Sequence, residues 1–183
     1  MRDVVTMIGN RRFFESAFAE ELEKARRTGD DFCLALADLD RFKLVNDRFG
    51  HLVGDRLLRH FAEILVENVR AQDRVARFGG EEFAVMLPGA NLSDAVKAVE
   101  RVRKVLESKQ WTLEPSGERL GKVTASFCVA KLRPNESGSE FLKRVDERLY
   151  DAKSKGSNCV VAESADEPPG TTKPPRLRRA ANA

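Results

Sequence analysis

The sequence predicts an α+β domain in which a mixed central β-sheet is flanked by helices. Amphipathic segments with helical periodicity alternate along the chain with short apolar runs of strand length. One pair of strands is joined by a glycine pair, whereas the other strands are separated by helices. Hairpins give antiparallel neighbours and helical crossovers give parallel ones, so a sheet built from both is mixed. The 183 residues suit one domain with a substantial core.

The first half of the chain predicts three helices, one buried strand and one hairpin. Phe14, Phe18 and Leu22 recur at helical spacing, which predicts a helix over 11–27. The run 32–39 is apolar except for Asp38, as is typical of a central strand covered on both faces. A lone charge in such a strand is costly unless it is paired or bound to a metal. Helices are then predicted over 42–49 and 53–70, and a hairpin over 73–87.

The second half predicts two more helices and two strands. Ser93 is expected to cap a helix over about 93–107, and Ser139 one that runs to about Lys153. A polar connection is expected over 111–119, followed by a strand over 122–132 and a short final strand over 159–161. From residue 163 the prolines and the basic finish predict a disordered tail, which leaves 1–162 as the folded domain.

Composition excludes several classes of protein. The net charge of +3 is small and is partly owed to the tail, so nucleic acid is not an expected partner. No window approaches the roughly 18 apolar residues of a membrane span, and no signal peptide is present, so we expect a cytoplasmic domain without membrane contact. The 3 cysteines lie in apolar runs without metal-binding spacing, which predicts buried, reduced thiols.

The hairpin tip carries two glycines followed by two carboxylates, Gly79-Gly80-Glu81-Glu82. A Gly-Gly pair favours a primed turn with positive φ, and its lack of side chains lets a phosphate approach the backbone. Adjacent carboxylates repel each other unless a divalent cation lies between them. A solvated turn and a metal-binding hairpin both fit this segment taken alone.

Further motifs lie at fixed spacings around the hairpin. Upstream stand Asp38-Leu39-Asp40-Arg41-Phe42-Lys43, Asn46-Asp47, Gly50-His51 and Gly54-Asp55, with Asn10-Arg11-Arg12 near the start and Leu149-Tyr150-Asp151-Ala152-Lys153 near the end. Together these motifs resemble the GGDEF-domain diguanylate cyclase family over about residues 3–162. The resemblance implies a palm-like nucleotidyl cyclase fold with a ferredoxin-like core. It also implies condensation of two GTP into cyclic di-GMP, with release of two pyrophosphates, by a homodimer in which each chain presents one GTP.

The resemblance assigns a metal site for Mg²⁺ or Mn²⁺. Its ligands would be Asp38, the main-chain carbonyl of Leu39, Glu81 and Glu82, and Glu81 would also help to deprotonate the attacking ribose hydroxyl. An unperturbed glutamate is a weak base at neutral pH, so the metal must contribute much of this activation.

Substrate contacts follow from the same resemblance. The main-chain N–H groups of Phe42 and Lys43, at a helix start, match a phosphate cradle, and Lys153 would reach the same phosphates. Ser157 departs from the family pattern, which has an arginine there, so one phosphate contact is expected to be missing. Cys128 and Met7 stand where the family has glycine.

Three side chains are candidates for contacts on the guanosine side of the substrate. Asn46 and Asp55 match guanine-contacting positions, and a carboxylate can accept from N1–H and the 2-amino group, which adenine lacks at that edge. Helix capping or turn formation is the structural alternative for both residues. His51 is equally compatible with a substrate contact and with a turn.

Arg70-Ala71-Gln72-Asp73 matches the family's product-inhibition motif, and Arg101 is a candidate second contact there. Without the family, Arg70 and Asp73 would be taken for a surface ion pair. Two other functions stay open: a non-catalytic receptor for cyclic di-GMP or GTP, and a cyclase that uses ATP. The match begins within the first few residues, so a sensory domain is expected upstream of this chain, and the full-length parent can be membrane-attached.

Overall fold

A computed structural model describes residues 1–154 and 156–163. They form helices α1 (Arg11–Thr28), α2 (Phe42–Phe49), α3 (His51–Glu67), α4 (Leu92–Ser108) and α5 (Gly138–Ser154), with strands β1 (Phe32–Leu39), β2 (Arg74–Arg77), β3 (Glu82–Pro88), β4 (Trp111–Leu113), β5 (Glu118–Gly121), β6 (Ala125–Lys131) and β7 (Val160–Glu163). The helix and strand boundaries follow the predicted periodicity closely for α1, β1 and α2.

The main sheet has 5 strands in the order β2-β3-β1-β6-β7. Strands β2, β3, β1 and β6 pair antiparallel, whereas β7 runs parallel to β6. The sheet is therefore mixed, and helices cover both of its faces, which confirms the predicted α+β class. Strand β1 is central, and all 8 of its residues are buried.

Alternation along β1 divides its side chains between two apolar clusters. Phe32, Leu34 and Leu36 pack with residues of α1 and α5, whereas the intervening residues pack with α3 and α4. Side chains alternate between the faces of a strand, so Asp38 belongs to the face covered by α1 and α5. This placement brings its carboxylate to α5.

Two helix caps differ from the predicted ones. Asn91, not Ser93, caps α4, because the Asn91 side chain accepts from the Asp94 N–H. In α5 the Ser137 hydroxyl accepts from the Glu140 N–H while the Glu140 carboxylate accepts from the Ser137 N–H. This reciprocal capping box begins the helix at Gly138, so the prediction of Ser139 as the cap was wrong.

The predicted polar connection over 111–119 is instead a second, two-stranded sheet of β4 and β5. Gly117 takes a left-handed conformation with φ of 70° in the turn between them. Trp111 packs beside the ring of His60, with 5.7 Å between the ring centroids. Other boundaries differ by a few residues: α3 spans His51–Glu67, and β6 begins at Ala125.

Glu163 was predicted to begin the disordered tail, but it ends β7 and is 1% exposed. Its carboxylate accepts from Arg144 and Arg133 at 3.2 Å each, which explains how a charge is tolerated there. Residues 164–183, on which the rest of that prediction falls, lie outside the described residues.

The prediction of buried cysteines is confirmed in part, because Cys159 is only half-buried. All three cysteines are free, and Cys33 and Cys128 are buried. Burial raises the pKa of the Cys33 thiol to about 12, which keeps it protonated. Within the described ranges, no helix is both long enough and apolar enough to cross a membrane.

Candidate active site

The hairpin between β2 and β3 has a four-residue loop, Phe78 to Glu81, rather than the primed Gly-Gly turn that the sequence predicted. The N–H groups of Phe78 and Gly79 both donate to the Glu82 carbonyl, at 2.8 and 3.1 Å. Neither Gly79 nor Gly80 has a positive φ. Gly79 is needed for space: a Cβ at this position would lie 2.2 Å from Oε2 of Glu82. A Cβ at Gly80 would meet nothing within 4 Å.

Arg77 holds the loop in place. Its guanidinium donates to the carbonyls of Gly79 and Gly80, at 3.2 and 2.7 Å, and to the Asp3 carboxylate at 3.1 Å. Asp3 in turn accepts from the N–H and the hydroxyl of Thr6. Sequence reasoning missed this contact. Adjacency to the glycine pair was the only signal, and it does not identify a partner 74 residues away.

Asp38 is the most buried charge at this end of the sheet. It is 5% exposed, its Oδ2 lies 2.5 Å from Nζ of Lys153 on α5, and its Oδ1 has no hydrogen-bond partner among the described residues. Burial raises the pKa of Asp38 to about 7, because desolvation and the nearby Glu81 and Glu82 outweigh the attraction of Lys153. The ion pair alone does not satisfy this carboxylate.

The two hairpin glutamates lie beside Asp38. Glu82 is directly opposite Asp38 in the β1–β3 register, so both side chains leave the sheet on the same face. Burial raises the pKa of Glu82, and the neighbouring charge of Asp146 on α5 adds to the shift. Glu81 meets the same strand through its main chain, where its carbonyl accepts from the Leu39 N–H at 3.2 Å. No motif in the sequence indicates Asp146.

These oxygen ligands suit a divalent cation. Among the described residues, no group of three or more acidic, histidine or cysteine side chains is arranged to hold an ion by itself. Mg²⁺ is usually bound by one or two carboxylates together with waters and substrate phosphates, so a smaller set suffices. The unpartnered Oδ1 of Asp38, opposite Glu82, is a buried anionic oxygen of the kind that a metal would satisfy.

The start of α2 presents free backbone donors. Arg41 precedes the helix in a left-handed conformation, with φ of 56°, and its side chain does not cap the helix. Within the described ranges, the N–H groups of Phe42 and Lys43 have no hydrogen-bond partner. Such a helix start binds anions through its N–H groups and its dipole.

Asn46 and Asp55 lie where α2 meets α3. The Oδ1 atom of Asn46 is buried and has no partner among the described residues. A Cβ at Gly54 would lie 1.9 Å from that atom, so a larger residue here would displace the Asn46 side chain. Asp55 follows Gly54 and is half-buried, and His51 is exposed at the first position of α3. Neither Asn46 nor Asp55 acts as a helix cap, which removes the capping alternative.

Asp40 joins the β1–α2 turn to two other segments. Its carboxylate accepts from the hydroxyls of Thr124 and Ser126, both at 2.7 Å, and from the Asn158 N–H at 2.9 Å. Asp40 belongs to a predicted motif but has no predicted role in it. Its contacts show that it positions the neighbouring segments. Through Asn158 it brings the loop that contains Ser157 against the start of α2.

The predicted inhibitory residues Arg70 and Asp73 lie just before β2, at the end of the hairpin opposite its tip. Asp73 has a fully buried side chain, and it accepts from the N–H, Nε and Nη2 of Arg70. This burial distinguishes the pair from an ordinary surface ion pair. Arg101 on α4 donates to the carbonyl of Asn68, two residues before Arg70, so all three predicted residues lie near one turn.

The fold and these contacts agree with one family. A family model described as diguanylate cyclase, GGDEF domain, matches residues 1–159. This chain belongs to the GGDEF family. The motif for which the family is named is Gly79-Gly80-Glu81-Glu82-Phe83 here, with glutamate at its third position.

Similar proteins are bacterial. The response regulator PleD of Caulobacter vibrioides is 37% identical over 163 residues, which cover 89% of this chain and 36% of PleD. The crystal structure of the GGDEF domain of DgcB from Caulobacter crescentus, in complex with c-di-GMP, has a TM-score of 0.86 and 33% identity, covering 91% of this chain and 93% of that one.

A third relative shares the variant motif. The structure of the active GGEEF domain of a diguanylate cyclase from Vibrio cholerae has a TM-score of 0.77 and 26% identity, covering 85% of this chain and 97% of that one. This GGDEF domain thus spans about a third of the length of its curated relative PleD but nearly all of the isolated domains.

The two glycines of the motif should differ in their tolerance of a methyl group. Gly79→Ala forces the Glu82 carboxylate from its position, whereas Gly80→Ala places its Cβ in open space. We expect Gly79→Ala to weaken Mn²⁺ binding by about tenfold, with little change in melting temperature. Calorimetric titration of the two variants checks this, and equal affinities would contradict the assigned role of Gly79.

A pH dependence follows from the raised pKa of Asp38. Between about pH 4 and pH 7 the folded domain holds a proton here that the unfolded chain has released, so this contribution to stability is lost as the pH rises through about 7. Removal of the charge by Asp38→Asn should therefore stabilise the domain by about 1–2 kcal/mol at pH 8 and have little effect at pH 4.

Urea unfolding in EDTA at the two pH values measures this difference. Asp47→Asn, at an exposed position of α2, is the control and should show no such dependence. A stability difference for Asp38→Asn that is the same at both pH values would rule out a raised pKa.

Proposed function

We propose that this GGDEF domain is a diguanylate cyclase that condenses two GTP molecules into cyclic di-GMP. One observation carries the proposal: Asp38 lies opposite Glu82, beside Glu81, at the same end of β1 as the free N–H groups of α2. Carboxylates for a metal and donors for phosphates thus adjoin each other, as phosphoryl transfer requires.

Each residue of the site has a role in the proposed reaction. Glu81 accepts the proton of the ribose 3′-hydroxyl, whose oxygen forms a bond to the α-phosphorus of the other GTP while the bond to pyrophosphate breaks. Asp38, Glu82 and the Leu39 carbonyl would hold Mg²⁺ or Mn²⁺, which neutralises phosphoryl charge and favours the deprotonated hydroxyl when bound. Lys153, now paired with Asp38, contacts the phosphates.

Guanine recognition rests on the groove between α2 and α3. The unpartnered Oδ1 of Asn46 and the carboxylate of Asp55 accept from the N1–H and 2-amino group of guanine. Adenine presents an acceptor and a C–H at these places, so it would leave Asn46 unsatisfied. These two acceptors therefore favour GTP over ATP. His51, exposed at the first position of α3, is assigned to the substrate side as well.

The reaction needs two copies of the domain. One groove binds one GTP, so the attacking hydroxyl and its target phosphate come from different chains in a homodimer. Turnover should therefore rise steeply with protein concentration when the domain is isolated. We assign the domain to the cytoplasm, where GTP is available and free cysteines stay reduced.

Product inhibition is the second part of the proposal. Arg70 and Arg101 offer guanidinium forks near one turn, and such forks suit the phosphates and guanine edges of cyclic di-GMP. The buried Asp73 holds Arg70 in position. A receptor without catalysis would use only this site, and the intact Glu81 and Glu82 favour the enzyme.

Removal of either hairpin charge should abolish synthesis. With GTP and Mg²⁺, mass spectrometry should detect cyclic di-GMP from the unmodified domain. Glu81→Gln and Glu82→Gln should each reduce kcat at least about 100-fold. The first variant loses the group that accepts the hydroxyl proton, and the second loses a metal ligand.

Glu63→Gln, an exposed carboxylate on α3, is the matched control for both variants and should retain full activity. Absence of product from the unmodified domain, even at high protein concentration, would overturn the cyclase assignment in favour of a receptor.

Product binding is tested separately. Arg101→Ala should weaken cyclic di-GMP binding by about 10- to 100-fold in calorimetry, because a charge-assisted contact is lost and no buried carboxylate is exposed. Arg70→Ala should weaken it as well, with a lower melting temperature because Asp73 loses its partner. Lys97→Ala, an exposed α4 position, is the control. Unchanged affinity in both arginine variants would remove this site.

A further inference from the structure

Arg41 enters α2 in a conformation that a non-glycine residue seldom adopts. Its φ and ψ of 56° and 26° are left-handed, and the next residue, Phe42, begins the helix. A left-handed residue followed by a helical one turns successive N–H groups toward a common point, a concavity that binds anions. Backbone strain of this kind is retained where the surrounding structure or a ligand makes use of it.

The Arg41 side chain is exposed and has no hydrogen bond or ion pair within the described part of the chain. The other arginine of α2 differs, because Arg48 lies 3.3 Å from the Glu118 carboxylate and its guanidinium stacks on the ring of Phe49. Arg41 therefore carries an uncompensated charge at the helix end where the helix dipole is also positive. Such a concentration of positive charge is unfavourable for the protein alone and favourable for a bound anion.

Among the described residues of the neighbouring loop, residues 156–158 carry no positive charge. The Asn158 N–H donates to Asp40. Ser157 precedes Asn158 and Arg41 follows Asp40, so both residues lie beside this hydrogen bond. Serine adds no charge there. Lys153 is already within 2.5 Å of Asp38, so part of its charge is neutralised. The charge of Arg41, by contrast, is not offset by an ion pair among the described residues.

We propose that the Arg41 guanidinium binds the β- and γ-phosphates of the nucleotide and the pyrophosphate that leaves. The inference rests on the proposed function. The α-phosphate must lie by Asp38 and Glu82, where bonds form and break, so the two terminal phosphates extend toward the start of α2. A planar guanidinium pairs with two phosphate oxygens at once and carries a full positive charge, whereas the main-chain N–H groups carry only partial charges.

Arg41→Asn is the appropriate variant, because asparagine tolerates the left-handed conformation while the charge is removed. Binding of α,β-methylene-GTP, whose bridging carbon prevents turnover, and of GMP is measured by calorimetry with Mg²⁺. We expect Arg41→Asn to weaken binding of the triphosphate analogue by about tenfold and to leave GMP binding unchanged. Arg48→Asn, at the other end of α2, should bind both ligands as the unmodified domain does.

A rescue experiment places the charge on the adjacent loop. Ser157→Arg in the Arg41→Asn background should recover most of the lost affinity for the triphosphate analogue. An unchanged affinity of Arg41→Asn for this analogue, or an equal loss for GMP, would overturn the role of Arg41 alone. Failure of the unmodified domain to bind either nucleotide would overturn the proposed function, and this inference with it.

Discussion

The burial of a charged carboxylate at the end of the central strand is the constraint on which the rest of the structure depends. Asp38 is 5% exposed, and one of its oxygens has no partner among the described residues. Lys153 offsets only part of the cost, since the pKa of Asp38 is still raised to about 7. The fully buried strand β1 fixes this position, and the apolar contacts on both of its faces stabilise the fold sufficiently to tolerate it.

Two glycines make room for polar groups of the site because they have no side chain. Gly79 leaves room for the Glu82 carboxylate, and Gly54 leaves room for the Asn46 amide. In neither case is a left-handed backbone involved, so the requirement comes from the neighbour and not from local conformation. The hairpin loop and the contact between α2 and α3 therefore both depend on a missing side chain, in two different parts of the fold.

The sequence could predict what depends on local pattern. Periodicity identified β1 and α1, and the lone Asp38 in an apolar run indicated an unusual charge before any contact was known. The turn type predicted for the hairpin was wrong. Gly79 makes room for the side chain of Glu82, three residues away, and does not form a primed turn. The contacts of Arg77 with Asp3 and of Asn158 with Asp40 join residues 74 and 118 positions apart, and no periodicity encodes such pairs. The β4–β5 hairpin was missed because its strands have only 3 and 4 residues, too few to show an alternating pattern.

Helix α4 connects the two proposed ligand sites. Near its middle, Arg101 bonds to the turn that holds Arg70, and Arg103 donates to the Asn158 side chain at 2.8 Å. Asn158 also donates to Glu107 on the last turn of α4, and its N–H reaches Asp40 beside the start of α2. A ligand that fixes Arg101 would therefore restrain a helix that is bonded, through Asn158, to Asp40 beside the proposed phosphate site. Because α4 also packs its apolar stripe against the sheet, this restraint acts through a rigid element and not through a flexible loop.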